Sequence, residues 1–458
     1  MHLPNRLILG AATAAYQIEG AVDADGRGRS IWDTYAHTPG RIKDATNADV
    51  ALDHYHRLED DLDLIAGLGL EAYRFSIAWP RIIPAGTGTV NPAGIDFYAR
   101  LVDGLLARGI RPMATLYHWD LPQTLEDRGG WPERATADAF AEYAGVVGAA
   151  LGDRVDTWTT FNEPWGSAYL GYASGAHAPG REDAAAAFRA VHHLNLAHGL
   201  GLQALRDVVS PDAVLSTTLN LHTFRPSGPT GEEAQGRLDA IANEAFLAPL
   251  LDGRLSERLV GLTQRITDWG FVRDEDLSVI STPMDALGIN YYYTNSVRMR
   301  PDGAAVSPGA QWPGAEGIEI LSKAPPLTEM GWNIDPAGLT ELLLSLHKRA
   351  PGLPLMITEN GAAFPDSVDG NGRVRDADRI GYLRSHLEAT VTAIEAGVDV
   401  RAFLVWTLID NFEWSLGFAK RFGLYRVEPQ SLRRVAKDSA CWFRDVIASR
   451  DTTVPVPA

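Results

Sequence analysis

Two short stretches of the chain each run into a glutamate and stop. Residues 156–165 read D-T-W-T-T-F-N-E-P-W, and residues 354–361 read P-L-M-I-T-E-N-G. In each, β-branched and apolar residues suited to a buried strand give way to a Glu flanked by Asn. Pro164 cannot donate to a ladder and biases the residue before it towards extended geometry, so Glu163 is expected at the C-terminal tip of its strand. Either glutamate alone reads equally well as a solvated strand cap. Brought together, Glu163 and Glu359 could divide acid and nucleophile work, one protonated and one ionised.

Something must hold the two tips in register, and the rest of the chain reads as that scaffold. Apolar runs at 7–13, 71–77, 111–118, from 156, 213–220, 285–292, 354–358 and 400–407 read as strands. Segments with helical spacing separate them, at 53–67, 92–109, 136–151, 184–208, 232–251, 336–350 and 377–396, and 435–447 closes the chain. Continuously apolar strands between amphipathic helices imply a parallel sheet buried on both faces. Eight such units imply a closed (β/α)8 barrel, a TIM barrel of the α/β class, rather than an open doubly wound sheet. The irregular stretches 164–181, 220–230 and 293–330 follow strands rather than precede them, and the last is expected to be an ordered rim. With no internal boundary, repeat or low-complexity run, residues 1–449 are expected to form one catalytic domain and 450–458 a loose tail.

Composition narrows the chemistry. The 458 residues are 45% hydrophobic and 22% charged, enough for a large globular core. A net charge of −17 and a pI near 5.1 argue against nucleic acid or an anionic membrane as partner. The single cysteine, Cys441, excludes an intramolecular disulfide and a cysteine metal cage, so a cytoplasmic setting is the simple expectation. Residues 7–16 imitate a signal peptide's apolar region, but behind only Arg6 they pass directly into Gln17 and Glu19, which suits a first strand better. No stretch approaches the roughly 18 apolar residues of a membrane span.

In such a barrel the active site lies at the C-terminal ends of the strands. The residues found there are Gln17 after strand one, Arg74 on strand two, His118 and Trp119 after three, and Asn162 and Glu163 at four. Strand six adds Asn290 and Tyr292, strand seven Glu359, and strand eight Trp406, with Glu413 and Trp414 shortly after. Carboxylates, amides and tryptophans, without a cluster of basic side chains, suit a neutral polyhydroxylated ligand whose ring faces stack on indole. Strands four and seven stand nearly opposite each other, so their two carboxylates can converge over the axis, as glycosidic cleavage requires. Arg74 and Tyr292 could hold Glu359 anionic, while Glu163 has no evident cation beside it and could keep its proton. A retaining double displacement would set the carboxyls roughly 5 to 5.5 Å apart. Plainer readings compete: Arg74 as a structural salt bridge, His118 as a satisfied core histidine, Trp119 as packing. His192, His193 and His198 do not share the i, i+4 face of a zinc helix, and there is no G-x-G-x-x-G or Walker run, so neither metal nor nucleotide is expected.

These motifs together resemble the β-glucosidases of glycoside hydrolase family 1 over essentially the whole chain. The matching runs are A-A-T-A-A-Y-Q-I-E-G (11–20), Y-R-F-S-I-A-W-P-R (73–81), L-Y-H-W-D-L-P (116–122), T-F-N-E-P (160–164), G-I-N-Y-Y (288–292), I-T-E-N-G (357–361) and D-N-F-E-W (410–414). The resemblance implies that Glu163 is the acid/base and Glu359 the nucleophile, with Arg74, Asn290 and Tyr292 in the catalytic group. It places Gln17, His118, Asn162, Trp406, Glu413 and Trp414 around the non-reducing sugar, with Trp119 a further candidate contact. Glu413 and Gln17 would hold the outer hydroxyls, Asn162 the 2-hydroxyl and Trp406 the ring face. Trp165 and Trp332 look like walls on the aglycone side. Leu9 stands where the family often has Trp, and Ala436 where Pro is frequent.

The implied activity is hydrolysis of terminal non-reducing β-D-glucosyl residues with retention, on a small-molecule β-glucoside and without a cofactor. The sequence leaves the oligomeric state open, a homo-oligomer included. A 6-phospho-β-glycosidase is the first alternative. Phosphate binders of this resemblance replace the D-N-F-E-W glutamate and place Lys and Tyr two residues apart, whereas here Glu413 is present and the pair is Lys420 and Phe422. A non-catalytic sugar-binding protein is the second, and both glutamates are intact against it.

Overall fold

The computed structural model describes residues 1–457. Eight strands close into a barrel: β1 (Ile8–Ala12), β2 (Ala72–Ser76), β3 (Arg111–Tyr117), β4 (Thr157–Asn162), β5 (Val214–Leu219), β6 (Ala286–Asn290), β7 (Leu355–Asn360) and β8 (Val400–Trp406). All neighbours are parallel, and β1 joins β2 on one side and β8 on the other. The strand ends fall within two residues of those read from the sequence. Strands β2, β4, β6 and β7 are buried at every position, because helices cover the outside and side chains fill the inside. The solvent-facing exceptions, Arg111 and Arg401, lie at the opposite end of the barrel from the strand tips that matter below.

The long helices start where local chemistry lets them. Pro92 opens Pro92–Ala107, where its missing N–H costs nothing, and the Asp183 carboxylate caps Ala184–Arg206 by accepting from the Ala186 amide at 3.0 Å. The first long helix begins at Leu58 rather than 53, since Asp53 sits at φ +55 and cannot belong to it. The last begins at Asp438 rather than 435, because Arg434–Ala436 pairs with Tyr425–Val427 as a hairpin. The helix expected over 232–251 is a composite of Gly231–Asp239, a wide π turn at Ala240–Glu244, and Ala245–Asp252.

The rim over the strand tips is ordered. Thr223–Pro226, Thr294–Met299 and Ile318–Ile320 form a small sheet within two of the stretches read as irregular, and Gly166–Ala173 winds as a π-helix in the third. At the other end, residues 450–454 are tied down rather than loose. The Met1 ammonium meets Asp451 and Thr452, Thr452 is fully buried, and Arg384 donates to the carbonyls of Thr452 and Val454. Among the described residues no helix is long and apolar enough to cross a membrane.

Candidate active site

The regular pairing of the strands slips at both glutamates, and at Glu163 the strand itself ends. β4 ends at Asn162 and Glu163 adopts φ +46, a left-handed conformation that is costly for a non-glycine residue and the reverse of the extended geometry expected before Pro164. Tertiary hydrogen bonds overrule the proline. The Glu163 amide donates to Thr218 O at 2.9 Å, Gly166 N donates to Glu163 O at 2.9 Å, and the Trp119 indole N–H reaches the carbonyls of Asn162 (3.0 Å) and Glu163 (3.3 Å). Register also slips at both tips, between Thr159 and Asn162 against β5 and between Ile357 and Glu359 against β6. Such irregularities re-aim side chains, here towards the space above the barrel. Next to Glu359 the backbone comes so close to β8 that a Cβ on Gly361 would lie 1.7 Å from Trp406 O, so only glycine fits.

Beneath the two carboxylates lies one connected set of donors. Arg74, 1% exposed, gives Nη1 to Glu359 Oε1 at 2.7 Å, Nη2 to Asn162 Oδ1 at 2.7 Å and Nε to Thr115 Oγ1 at 3.0 Å. Tyr292 donates its hydroxyl to Glu359 Oε2 at 2.7 Å. Asn290 Nδ2 donates to Glu163 Oε1 at 2.7 Å and to Asn162 Oδ1 at 3.0 Å, oriented by Thr358 Oγ1, which donates to Asn290 Oδ1 at 2.8 Å. Asn162 in turn donates to His118 Nε2 at 2.9 Å. Burial and the adjacent Arg74 hold His118 neutral, well below its ordinary value, so it can accept that bond.

The electrostatics separate the pair. Burial first, and the neighbouring Glu359 charge second, push the Glu163 carboxyl up to about 8. Burial raises Glu359 as well, but Arg74 and Tyr292 pull against it, so of the two it is Glu359 that ionises first. Glu413 is likewise pushed up to about 8, by burial and by Glu359.

Both glutamates open into one cavity of about 400 Å³, together with His118, Trp119, Asn162, Asn290, Tyr292, Trp332, Trp406, Glu413 and Trp414. Its aromatic wall is continuous: Trp414 lies 4.6 Å from Trp119 and 5.8 Å from His118, and His118 lies 5.8 Å from Trp406 at 25°. Tyr292 and Trp332, also in the lining, lie 5.3 Å apart, and Trp165 lines the cavity 4.8 Å from His222. Two of the residues read from sequence stand behind the lining. Arg74 acts from below, and Gln17 is fully buried, donating to Asn411 Oδ1 (3.0 Å) and Phe412 O (2.7 Å) with its Oε1 unpaired. Sequence reasoning missed Asn220, Leu221, His222, Tyr293 and Phe422, which line the same cavity. Asn220 is the first residue past β5 and carried the same strand-tip signal as the others; His222 and Tyr293 lie in rim segments with no such landmark. The three histidines of one helix are structural: His192 bonds Asp276 at 2.7 Å, His193 the Trp131 carbonyl at 3.1 Å and His198 the Thr160 hydroxyl at 2.7 Å.

Comparison with known proteins agrees with this geometry. The sequence pattern of Glycosyl hydrolase family 1 matches residues 1–452. A bifunctional beta-D-glucosidase/beta-D-fucosidase of Bifidobacterium breve is 52% identical, covering 98% of each chain, and beta-glucosidase A of Acetivibrio thermocellus is 42% identical over 97% of this chain and 98% of its own. The crystal structure of a psychrophilic beta-glucosidase from Micrococcus antarcticus superposes with a TM-score of 0.93 at 45% identity over 98% of each chain. The beta-glucosidase of Thermotoga maritima in complex with glucoimidazole superposes at 0.92 and 40% identity, over 98% of this chain and 99% of that one. A barrel with two unlike carboxylates in one aromatic-walled cavity, matched at this identity from end to end, belongs to glycosyl hydrolase family 1.

Proposed function

We propose that the chain is a retaining β-glucosidase in which Glu359 attacks the anomeric carbon and Glu163 first protonates the departing oxygen and then activates water. The observation that carries this reading is the contrast between two carboxylates facing one cavity, one bonded to Arg74 and Tyr292 and the other to a neutral amide. Asn290 supports close approach of the pair, since its amide bonds Glu163 and also lowers Glu359, in keeping with the roughly 5 to 5.5 Å separation of a double displacement. Asn162, held by Arg74, Asn290 and His118, would meet the 2-hydroxyl; Glu413 the outer hydroxyls, with Gln17 holding its turn from behind the lining; Trp406 the ring face, with His118 and Trp414 beside it. Trp119 would sit behind this group. The substrate class is terminal β-glucosides, including the short β-linked oligosaccharides that cellulose yields.

The bifunctional relative supports β-D-fucosides as a second substrate. Phosphorylated sugars are disfavoured: Glu413 faces the cavity and Lys420 is engaged by Glu329, through its carbonyl at 2.8 Å and its carboxylate at 3.4 Å. A single catalytic domain over residues 1–449 and a cytoplasmic setting complete the reading, the latter supported by the lone free Cys441. Incubation with an activated 2-deoxy-2-fluoro-β-glucoside tests it directly. A stable fluoroglucosyl adduct on the peptide containing Glu359 is expected, and in a separate incubation with an ordinary β-glucoside the first-formed glucose should be the β-anomer. An adduct elsewhere, or an α-anomer product, would reject the assignment.

A further inference from the structure

Behind the loops that follow β7 and β8 lies a cluster of buried charge. Arg379, 1% exposed, pairs with Asp366 and Asp376 and also donates to Ala362 O at 3.3 Å and Arg421 O at 2.8 Å. Lys437, fully buried ahead of the last helix, pairs with Asp366 and donates to Asp410 Oδ1 at 2.7 Å. The same Asp410 oxygen accepts the Gly423 amide at 2.8 Å. Ala362 and Asp366 belong to the loop after β7, whereas Asp410, Arg421 and Gly423 belong to the loop after β8. Each cation therefore ties the segment that leaves the Glu359 strand to the segment that carries Glu413.

Glu413 is reached from Asp410 through Asn411 and Phe412, which Gln17 holds. The turn is thus pinned at its base by Lys437 and along its length by Gln17. Two cations and three carboxylates buried together are an expensive way to stabilise a fold, since apolar side chains of the same volume do it as well or better. What such a lattice does supply is one fixed arrangement of the groups it joins.

We propose that Lys437 is a positioning residue for Glu413 and, through it, sets the preference for sugars that carry a 6-hydroxyl. The proposal rests on the reading of Glu413 as partner of the outer hydroxyls. Lys437 fixes Asp410, Asp410 fixes the turn, and the turn fixes a carboxylate whose hydrogen bond to a hydroxyl fails when it moves by a fraction of its length. The anomeric centre is gripped from β4 and β7 and does not depend on that turn.

The test is kcat/KM for nitrophenyl β-glucoside against nitrophenyl 6-deoxy-β-glucoside in the wild type, Lys437→Met, Asp410→Asn, Glu413→Ala and the Lys437→Met/Glu413→Ala double variant. Lys437→Met should cut the glucoside preference roughly tenfold, mainly through KM, and leave the 6-deoxy substrate within about twofold. In the Glu413→Ala background the same substitution should change the ratio no further. If Lys437→Met fails to fold, Asp410→Asn, which leaves Lys437 paired with Asp366, should give a loss of preference of about threefold. An unchanged ratio in the folded Lys437→Met or Asp410→Asn variant, with only a lower Tm, overturns the positioning role while leaving Glu413 in place. An unchanged ratio in Glu413→Ala overturns the reading of Glu413 and this inference with it.

Discussion

The tips of β4 and β7 present the same side chain in different company. At β7 the carboxylate meets a guanidinium and a phenol, each at 2.7 Å, and sits in strand geometry. At β4 it meets one amide and is carried on a strained φ of +46 that Trp119 and β5 hold in place. Residue type is therefore not what distinguishes the two; the neighbours are. A cation within hydrogen-bond reach favours the ionised form, and its absence lets burial favour the neutral one.

Substitution should expose that asymmetry. Glu359→Gln is expected to lower kcat by roughly 10⁴-fold or more on every β-glucoside, since no covalent intermediate can form, and wild-type-like rates would refute the role. Glu163→Ala should cost about 10³-fold in kcat/KM on alkyl glucosides but less than about tenfold in kcat/KM on dinitrophenyl glucoside, whose leaving group needs no proton, while kcat on that substrate falls with the lost activation of water. Equal losses on both would show that Glu163 is not the acid. Tyr292→Phe removes one of the two donors to Glu359; a loss of about 10- to 100-fold is expected, with the acid limb of the kcat/KM profile moving to higher pH.

With Glu163 as the proposed acid, the alkaline limb should report its ionisation. It should fall near pH 8 in the wild type and disappear in Glu163→Ala assayed on the activated substrate. Stability follows with a defined sign. Because the folded value, about 8, lies above the ordinary 4.5, the stability contributed by the neutral carboxyl is complete below pH 4.5 and lost as pH rises through 8. Glu163→Gln should therefore raise Tm by a few degrees, about 2 to 4, at pH 8 and by almost nothing at pH 4, as calorimetry would show.

The strands were legible because burial on both faces writes them as unbroken apolar runs, and Glu359, Asn290 and Trp406 were legible because they end such runs. The conformation of Glu163 was not. Pro164 argues locally for extended backbone, and what wins is a set of bonds from Trp119, Thr218 and Gly166, two of which are far away in sequence. The rim sheet escaped notice for a related reason: its three short strands, 3 to 6 residues each, find one another only across long separations. His222 and Tyr293, which that rim helps to place, escaped with it. The same holds for Arg434–Ala436, whose hairpin partner rather than its own composition keeps it out of the helix.

The contact at Gly361 has a mechanical consequence. With a Cβ there 1.7 Å from the Trp406 carbonyl, the seam between the seventh and eighth staves has no slack, and even one methyl group would act as a wedge. Such a wedge would swing the Glu359 carboxylate away from the Trp406 indole. The throat of this barrel is thus a fixed gauge, and altered selectivity has to be sought further out, in the segments that frame the opening.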